Sequence, residues 1–370
     1  MEVGTTSQLL ELQGLCKTDP EGYREDFELQ LRHYRASLSL FLLRPSEESK
    51  RFGELANFLA QVSHVYKQSV KGVPKELAQL LEKHHEVLHP QLRRTLVNAL
   101  MLLRRRGAVT TNEVLPLFFR LFRCTDKQLR KALFKHIVND VREVNKKHRN
   151  EGINKALQNF LFEMVADTES ESVARRSLSV LVSLYRRGVW ADSKGISVIA
   201  SACLHPSVRV MRAGLHFFMG HDQEDDESDE ESEDEAPDDK GNKPIEKDSA
   251  IQPTKDELYS AFHKVLITAR KALNYETATP ASFTSIQLLR DPQGFAERLF
   301  QRLQKIHTNF ETKLLMLNVI SRVIGVHQLL VLPFYTYIQR YLQPHQREVT
   351  HLLAAAVQAC HPLVPPDAID

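Results

Sequence analysis

Apolar side chains recur at i, i+3, i+4 and i+7 along nearly all of this 370-residue chain. That spacing puts them on one face of an α-helix and leaves no alternating strand of useful length. It predicts helices over about 19–43, opening at Asp19-Pro20, and over 51–66, then one from Pro74, which suits a first helical turn. Further helices are expected over about 91–106, 111–122, 126–147, 154–165, 170–187, 192–203 and 206–218, and then over 254–272, 292–305, 310–323, 328–341 and 345–360. Gly and Pro are sparse, at 14 and 16, which fits helices joined by short turns.

A chain this long exceeds one compact core, which stops growing near ~250–300 residues, so it must divide into domains or extend as repeats. Several helix starts share a plan of a turn residue, an aliphatic residue and a base. His89-Pro90-Gln91-Leu92-Arg93, Thr125-Asp126-Lys127-Gln128-Leu129-Arg130, Glu171-Ser172-Val173-Ala174-Arg175 and His205-Pro206-Ser207-Val208-Arg209 all follow it. The bases Arg93, Arg130, Arg175 and Arg209 fall 37, 45 and 34 residues apart. Asn309-Phe310-Glu311-Thr312-Lys313 and Pro344-His345-Gln346-Arg347 repeat the idea 34 residues apart. Two helices per ~35–47 residues is the period of HEAT and armadillo arrays, whose helix pairs bury their apolar faces only by stacking. The expected fold is therefore all-α, a HEAT/armadillo-like helical-repeat solenoid interrupted by an acidic linker. An irregular helical bundle is the alternative.

The net charge of +2 conceals an asymmetry. Twelve acids and no base lie between Glu224 and Asp239, and the remainder has 35 acids against 49 bases. The acidic tract has almost nothing apolar to offset its ordering entropy and is expected to be disordered. The expected organisation is an N-terminal repeat segment over 1–221, a linker over 222–253 and a continuing repeat segment over 254–370. Ser228 and Ser232 each have Glu three residues later, which suits an acid-directed kinase. A basic body suggests a polyanionic partner, with an ordinary solvated surface as the alternative.

One stretch concentrates the bases. At 100° per residue, Leu129, Leu133, Ile137, Val141 and Val144 form one stripe of the helix from Asp126. Lys127, Lys131, Lys135, Arg142 and Lys146 form another, roughly opposite, which Lys147 and Arg149 extend. Cations aligned in this way can neutralise phosphates, giving sequence-independent, salt-sensitive binding. Arg104 and Arg105 join the candidate RNA-binding set, although with Arg106 they also suit a helix C-terminus, where the dipole favours cations.

Catalytic motifs are not found. No phosphate-binding glycine loop and no nucleophile elbow occurs. His85-Glu86-Val87-Leu88-His89 matches the zinc-protease string literally. Pro90 disfavours helix at His89, however, so the two imidazoles are expected to flank a turn rather than share a helical face. Neither a metal nor another cofactor is expected. Cys16, Cys124, Cys203 and Cys360 are widely spaced, which argues for a reducing compartment, with cytosol and nucleus both fitting. Met1 to Leu15 lacks the pattern of a secretory leader, and no apolar run approaches the ~20 residues of a membrane span. The last predicted helix, around Leu352 to Val357, is apolar over much of its circumference. A continuation beyond Asp370 or a covering partner is expected there.

Leu115–Lys131, His136–Asp140, Leu184–Trp190, Asp291–Phe300 and Tyr341–Val349, with the acidic tract after Gly220, together resemble the severe-depolymerisation-of-actin family of nuclear and nucleolar proteins. The resemblance covers essentially Leu10 to Pro366. It implies a non-enzymatic scaffold in maturation and nuclear export of the precursor large ribosomal subunit, bound to its RNA or proteins in the nucleolus and nucleus. Links to protein transport and actin organisation are also implied. Family members often carry a Lys-rich run after the acidic tract, where this chain has only Lys243, Lys247 and Lys255, and they continue beyond the equivalent of Asp370. The family supplies no active-site residues to transfer. A karyopherin-like transport adaptor is the alternative that shares the repeat architecture.

Overall fold

The computed structural model describes residues 3–43, 49–147, 151–220, 285–341 and 348–365. All regular structure among them is helical. The acidic tract, Ser228, Ser232, the linker 222–253 and the helix expected over 254–272 lie outside the described residues. None of the described helices is long and apolar enough to cross a membrane.

The chain forms two compact units, Met1–Leu184 and Tyr185–Asp370. The first holds α1 (Val3–Thr18), α2 (Arg24–Leu43), α3 (Lys50–Val62), α4 (Val73–His84), α5 (Pro90–Arg105), α6 (Thr111–Arg120), α7 (Lys127–Lys147), α8 (Glu151–Ala166) and most of α9 (Glu171–Arg186). They build two layers. In one, α1, α3, α5 and α7 pack each against the next; in the other, α4, α6 and α8 do the same, and α2, α4 and α6 lie across α3, α5 and α7. Each of α3 to α7 thus covers a partner in its own pair and a neighbour in the next, which is how a repeat array shares one core.

That core is continuous. Phe27, Tyr34, Phe52, Phe118, Phe119 and Phe122 are fully buried. Phe27 stacks on Tyr66 at 4.0 Å between ring centroids, and Phe119 meets Phe122 edge-on at 5.4 Å. Large rings of this kind dominate the burial term at about 25 cal/mol per Å2 removed from water.

At two of the helix starts that share a base, those of Arg93 and Arg130, the base has a structural task. Arg93 donates from Nη1 to the His85 carbonyl at 2.7 Å, and Arg130 from Nη1 to the Cys124 carbonyl at 3.2 Å. Each reaches back across the turn before its helix and satisfies a carbonyl that helix geometry leaves without a partner. Asp126 caps α7 by accepting from the N–H groups of Gln128 and Leu129, at 3.1 and 3.2 Å. Thr110 and Glu113 form a capping box at the start of α6.

The second unit holds α10 (Ser193–Ala202), α11 (Val208–Met219), α12 (Pro292–Lys305), α13 (Phe310–His327), α14 (Leu332–Gln339) and α15 (Val349–Ala359). Trp190 is fully buried at its entrance. α11 packs on α13 and α13 on α15, with α10, α12 and α14 against them. Helices from before and after the acidic tract therefore share one core. Phe218 on α11 meets Phe295 on α12 at 5.8 Å, and Arg322 on α13 donates to the Met219 carbonyl at 3.2 Å.

Several boundaries differ from expectation, among them those at the turn before α2 and between α13 and α14. Asp19-Pro20 begins no helix. α1 ends at Thr18, and the Asp19 carboxylate accepts from the Gly22 N–H at 3.0 Å within the turn before α2. α13 runs through Gly325 to His327 and ends with Gln328 in the left-handed conformation at φ 53°. Consequently α14 starts only at Leu332.

Candidate nucleic-acid interface

Two ion pairs to α5 hold α7, one at its start and one at Asp140 in its C-terminal half. At its start, Arg94 Nε lies 2.6 Å from Asp126 Oδ2, and Arg94 also donates to Gln128. Burial opposes ionisation of Asp126, but the Leu129 N–H and the Arg94 guanidinium outweigh it and hold its carboxyl below the usual range. Further along, Arg104 Nε lies 3.1 Å from Asp140 Oδ2, which also accepts from Thr111 Oγ1 at 2.9 Å. Arg104 donates to Thr111 Oγ1 at 2.9 Å as well. The network is only partly exposed, with the Arg104 side chain at 18%.

Along the helix the faces divide. Leu129, Leu133, Ile137 and Val141 are at most 1% exposed, while Val144, also on the apolar stripe, is half-buried. Lys127, Lys131, Lys135, Arg142 and Lys146 are all exposed. They span an arc of about 100° of the helix circumference. Lys127 and Lys131 have neighbours of their own, and Lys146 Nζ lies 3.4 Å from Glu143, one helical turn away in solvent. Exposed pairs of that kind contribute little and exchange readily with a stronger anion.

The remaining candidates fare differently. Arg105 is exposed beside this helix. Arg104 is committed to Asp140 and Thr111, so the structure places it inside the repeat rather than on its surface. The Lys147 side chain and all of Arg149 lie outside the described residues.

His136 lies on the inner side of α7, 5% exposed, with its ring edge-on to Phe118 at 5.4 Å. Its Nε2 has no hydrogen-bond partner. Burial pushes the imidazole down to about 4; the Arg105 and Arg104 charges add to that, against Asp140.

A second basic cluster escapes helical periodicity because it joins three helix ends. Lys17 closes α1, His64 and Lys67 follow α3, and Arg106 caps α5. The α1 and α3 ends are tied by Tyr66, whose hydroxyl donates to the Pro20 carbonyl at 2.7 Å. Lys17, Lys67 and Arg106 are exposed. Burial first, then the charges of Arg106, Lys17 and Lys67, hold His64 below its ordinary range, although the Gln61 backbone works the other way. Only the proximity of the helix ends reveals this cluster.

The zinc-protease string is divided by a turn. His85 caps the end of α4, His89 precedes α5 and Pro90 occupies its first position. No group of three or more His, Cys, Asp or Glu able to hold a metal ion occurs among the described residues.

Comparison with known proteins places this architecture. The family described as SDA1, HEAT repeat, matches residues 58–370. An SDA1 homolog of Nematostella vectensis is 41% identical over 98% of this chain and 52% of its own length. Another, of Xenopus tropicalis, is 40% identical over 98% and 52%. The Schizosaccharomyces pombe sda1 protein is 33% identical over 98% and 53%. This chain therefore spans about half the length of these relatives, and over that span it belongs to the SDA1 HEAT-repeat family.

Proposed function

We propose that this chain is a non-enzymatic scaffold in biogenesis and nuclear export of the large ribosomal subunit, and that it holds RNA of the precursor particle in the nucleolus and nucleus. The ribosomal setting comes from the family resemblance. The observation that carries RNA contact is the exposed cationic face of α7, opposite a stripe buried from Leu129 to Val141, on a helix tied to α5 at Asp126 and Asp140. A rigid row of cations suits a phosphate backbone, because the anchors are placed before binding and no base-specific pocket is required.

Depletion is expected to make large-subunit precursors accumulate in the nucleus. The purified chain is expected to associate with precursor particles in a ribonuclease-sensitive manner. Unchanged precursor export after full depletion would sink the reading. Association that survives ribonuclease and follows a protein cargo would point instead to a karyopherin-like adaptor.

A further inference from the structure

The turn between α10 and α11 faces the C-terminal end of α12 across a surface groove of about 480 Å3. Its floor is aliphatic, from Leu204, Pro206, Val208 and Ile306. Arg298, Arg302 and Lys305 also line it, and no carboxylate does. We propose that this groove docks a short acidic segment of a partner protein, presenting a carboxylate beside an aliphatic side chain.

Four features point to a carboxylate. Arg302 is already fixed, donating from Nη1 to the Leu204 carbonyl at 2.5 Å and from Nη2 to the His205 carbonyl. Its Nε–H is buried without a partner, and so is the Thr308 hydroxyl on the same wall. A buried donor left unmade carries a desolvation cost that an incoming acceptor would relieve. Two helices also begin beside the groove, α11 after Ser207 and α13 after Asn309, and the first-turn N–H groups that the Ser207 cap does not take favour anions. Burial holds the Arg302 guanidinium below its usual range, a strain that a bound carboxylate removes. Of the nearby acids, Asp291 pairs with the groove's own Arg298 at 3.7 Å, an exposed contact that an incoming carboxylate can exchange with, and Glu311 pairs with Arg212 at 3.9 Å.

The aliphatic floor decides between a peptide and a nucleic acid. Apart from His307, no ring lines the groove, so bases would have little to stack on. An aliphatic side chain, by contrast, would bury against Leu204, Pro206 and Ile306. The groove's volume lies within the range of built ligand sites. This surface belongs to the second unit and does not depend on the RNA reading of α7.

The test is fluorescence anisotropy on the whole chain with three short labelled probes: a peptide alternating glutamate and leucine, the same peptide with glutamine for glutamate, and a uridine RNA of equal length. Saturable binding of the glutamate peptide is expected, with the glutamine peptide about tenfold weaker or worse. Lys305→Glu should weaken the glutamate peptide by a similar factor, and Lys135→Glu should leave it unchanged. Lys305 is exposed, so folding should survive; Lys305→Gln serves if it does not. The proposal falls if the glutamate peptide does not saturate, if glutamine serves as well, or if Lys305→Glu alters RNA binding and not peptide binding.

Discussion

The guanidinium of Arg93 donates to the main-chain carbonyl of His85, eight residues earlier, across the turn that separates α4 from α5. The side chain is 6% exposed, so this charged hydrogen bond is made largely out of water. Arg93→Ala would leave the carbonyl without its partner. Losing a hydrogen bond to a charged group is expected to cost about 2 kcal/mol. Equilibrium denaturation should show a lower midpoint with an unchanged slope, and RNA affinity of the folded fraction should not move. A midpoint equal to that of the parent would refute the role.

His136 makes stability pH-dependent in a definite window. Its imidazole is held at about 4, against an ordinary 6.5. Above 6.5 both folded and unfolded forms are neutral, and the full stability is present. As pH falls from 6.5 toward 4, the unfolded chain takes up a proton that the native site resists, so stability declines. Below 4 both forms are charged and this group adds no further loss. The total is roughly 3 kcal/mol as an upper figure. His136→Phe, which keeps an aromatic ring against Phe118, should flatten the stability curve across that window. A variant whose curve still falls with the parent's slope would assign the titration to another group.

The α7 face yields a salt test. Lys135→Glu and Arg142→Glu replace exposed cations opposite the buried stripe, so thermal midpoints should hardly change. Each should weaken RNA binding uniformly across sequences and lower the slope of log K against log salt by about 1. Arg104→Gln should behave in the opposite way, lowering stability through the Asp140–Thr111 network with little effect on the salt slope. If Arg104→Gln alone lowers the slope, the assignment of these residues is reversed.

Particular residues show what the sequence carried and what it did not. Leu129, Leu133 and Ile137 announce α7 and its buried side, because one helix writes its own periodicity. The exposure of Lys135 and Arg142 follows from the same angles. Arg104 differs: its partner Asp140 lies 36 residues away, and only packing of α5 on α7 joins them. The cluster of Lys17, Lys67 and Arg106 likewise depends on three helix ends meeting. α1 does not stand out in the sequence because Thr5, Thr6, Ser7 and Gln8 leave its first half without an apolar stripe, and tertiary packing on α3 overrides that weak pattern.

The helix expected over 310–323 runs on through Gly325, for a physical reason that also makes a prediction. Glycine inside a helix costs about 1 kcal/mol against alanine, yet α13 continues past it to His327. The cause is the crossing with α15. A Cβ built on Gly325 would lie 2.1 Å from the Gln358 carbonyl oxygen, which belongs to rigid helical backbone. Around that contact, Ser321 Oγ donates to the Ala355 carbonyl, Tyr335 Oη donates to the Ala359 carbonyl at 2.8 Å, and Leu352 is fully buried. Gly325→Ala improves the intrinsic helix propensity of α13 by up to ~1 kcal/mol. It must nevertheless push α15 away, and forcing extra volume into a packed interface costs about 1–3 kcal/mol or more. The clash should win, because the obstructing atom is main chain and cannot rotate aside. Thermal unfolding of Gly325→Ala is expected below that of the parent, with faster amide exchange along α15 and unchanged exchange in α5 and α7. A stabilised variant would show that α13 and α15 cross with more space than this geometry allows.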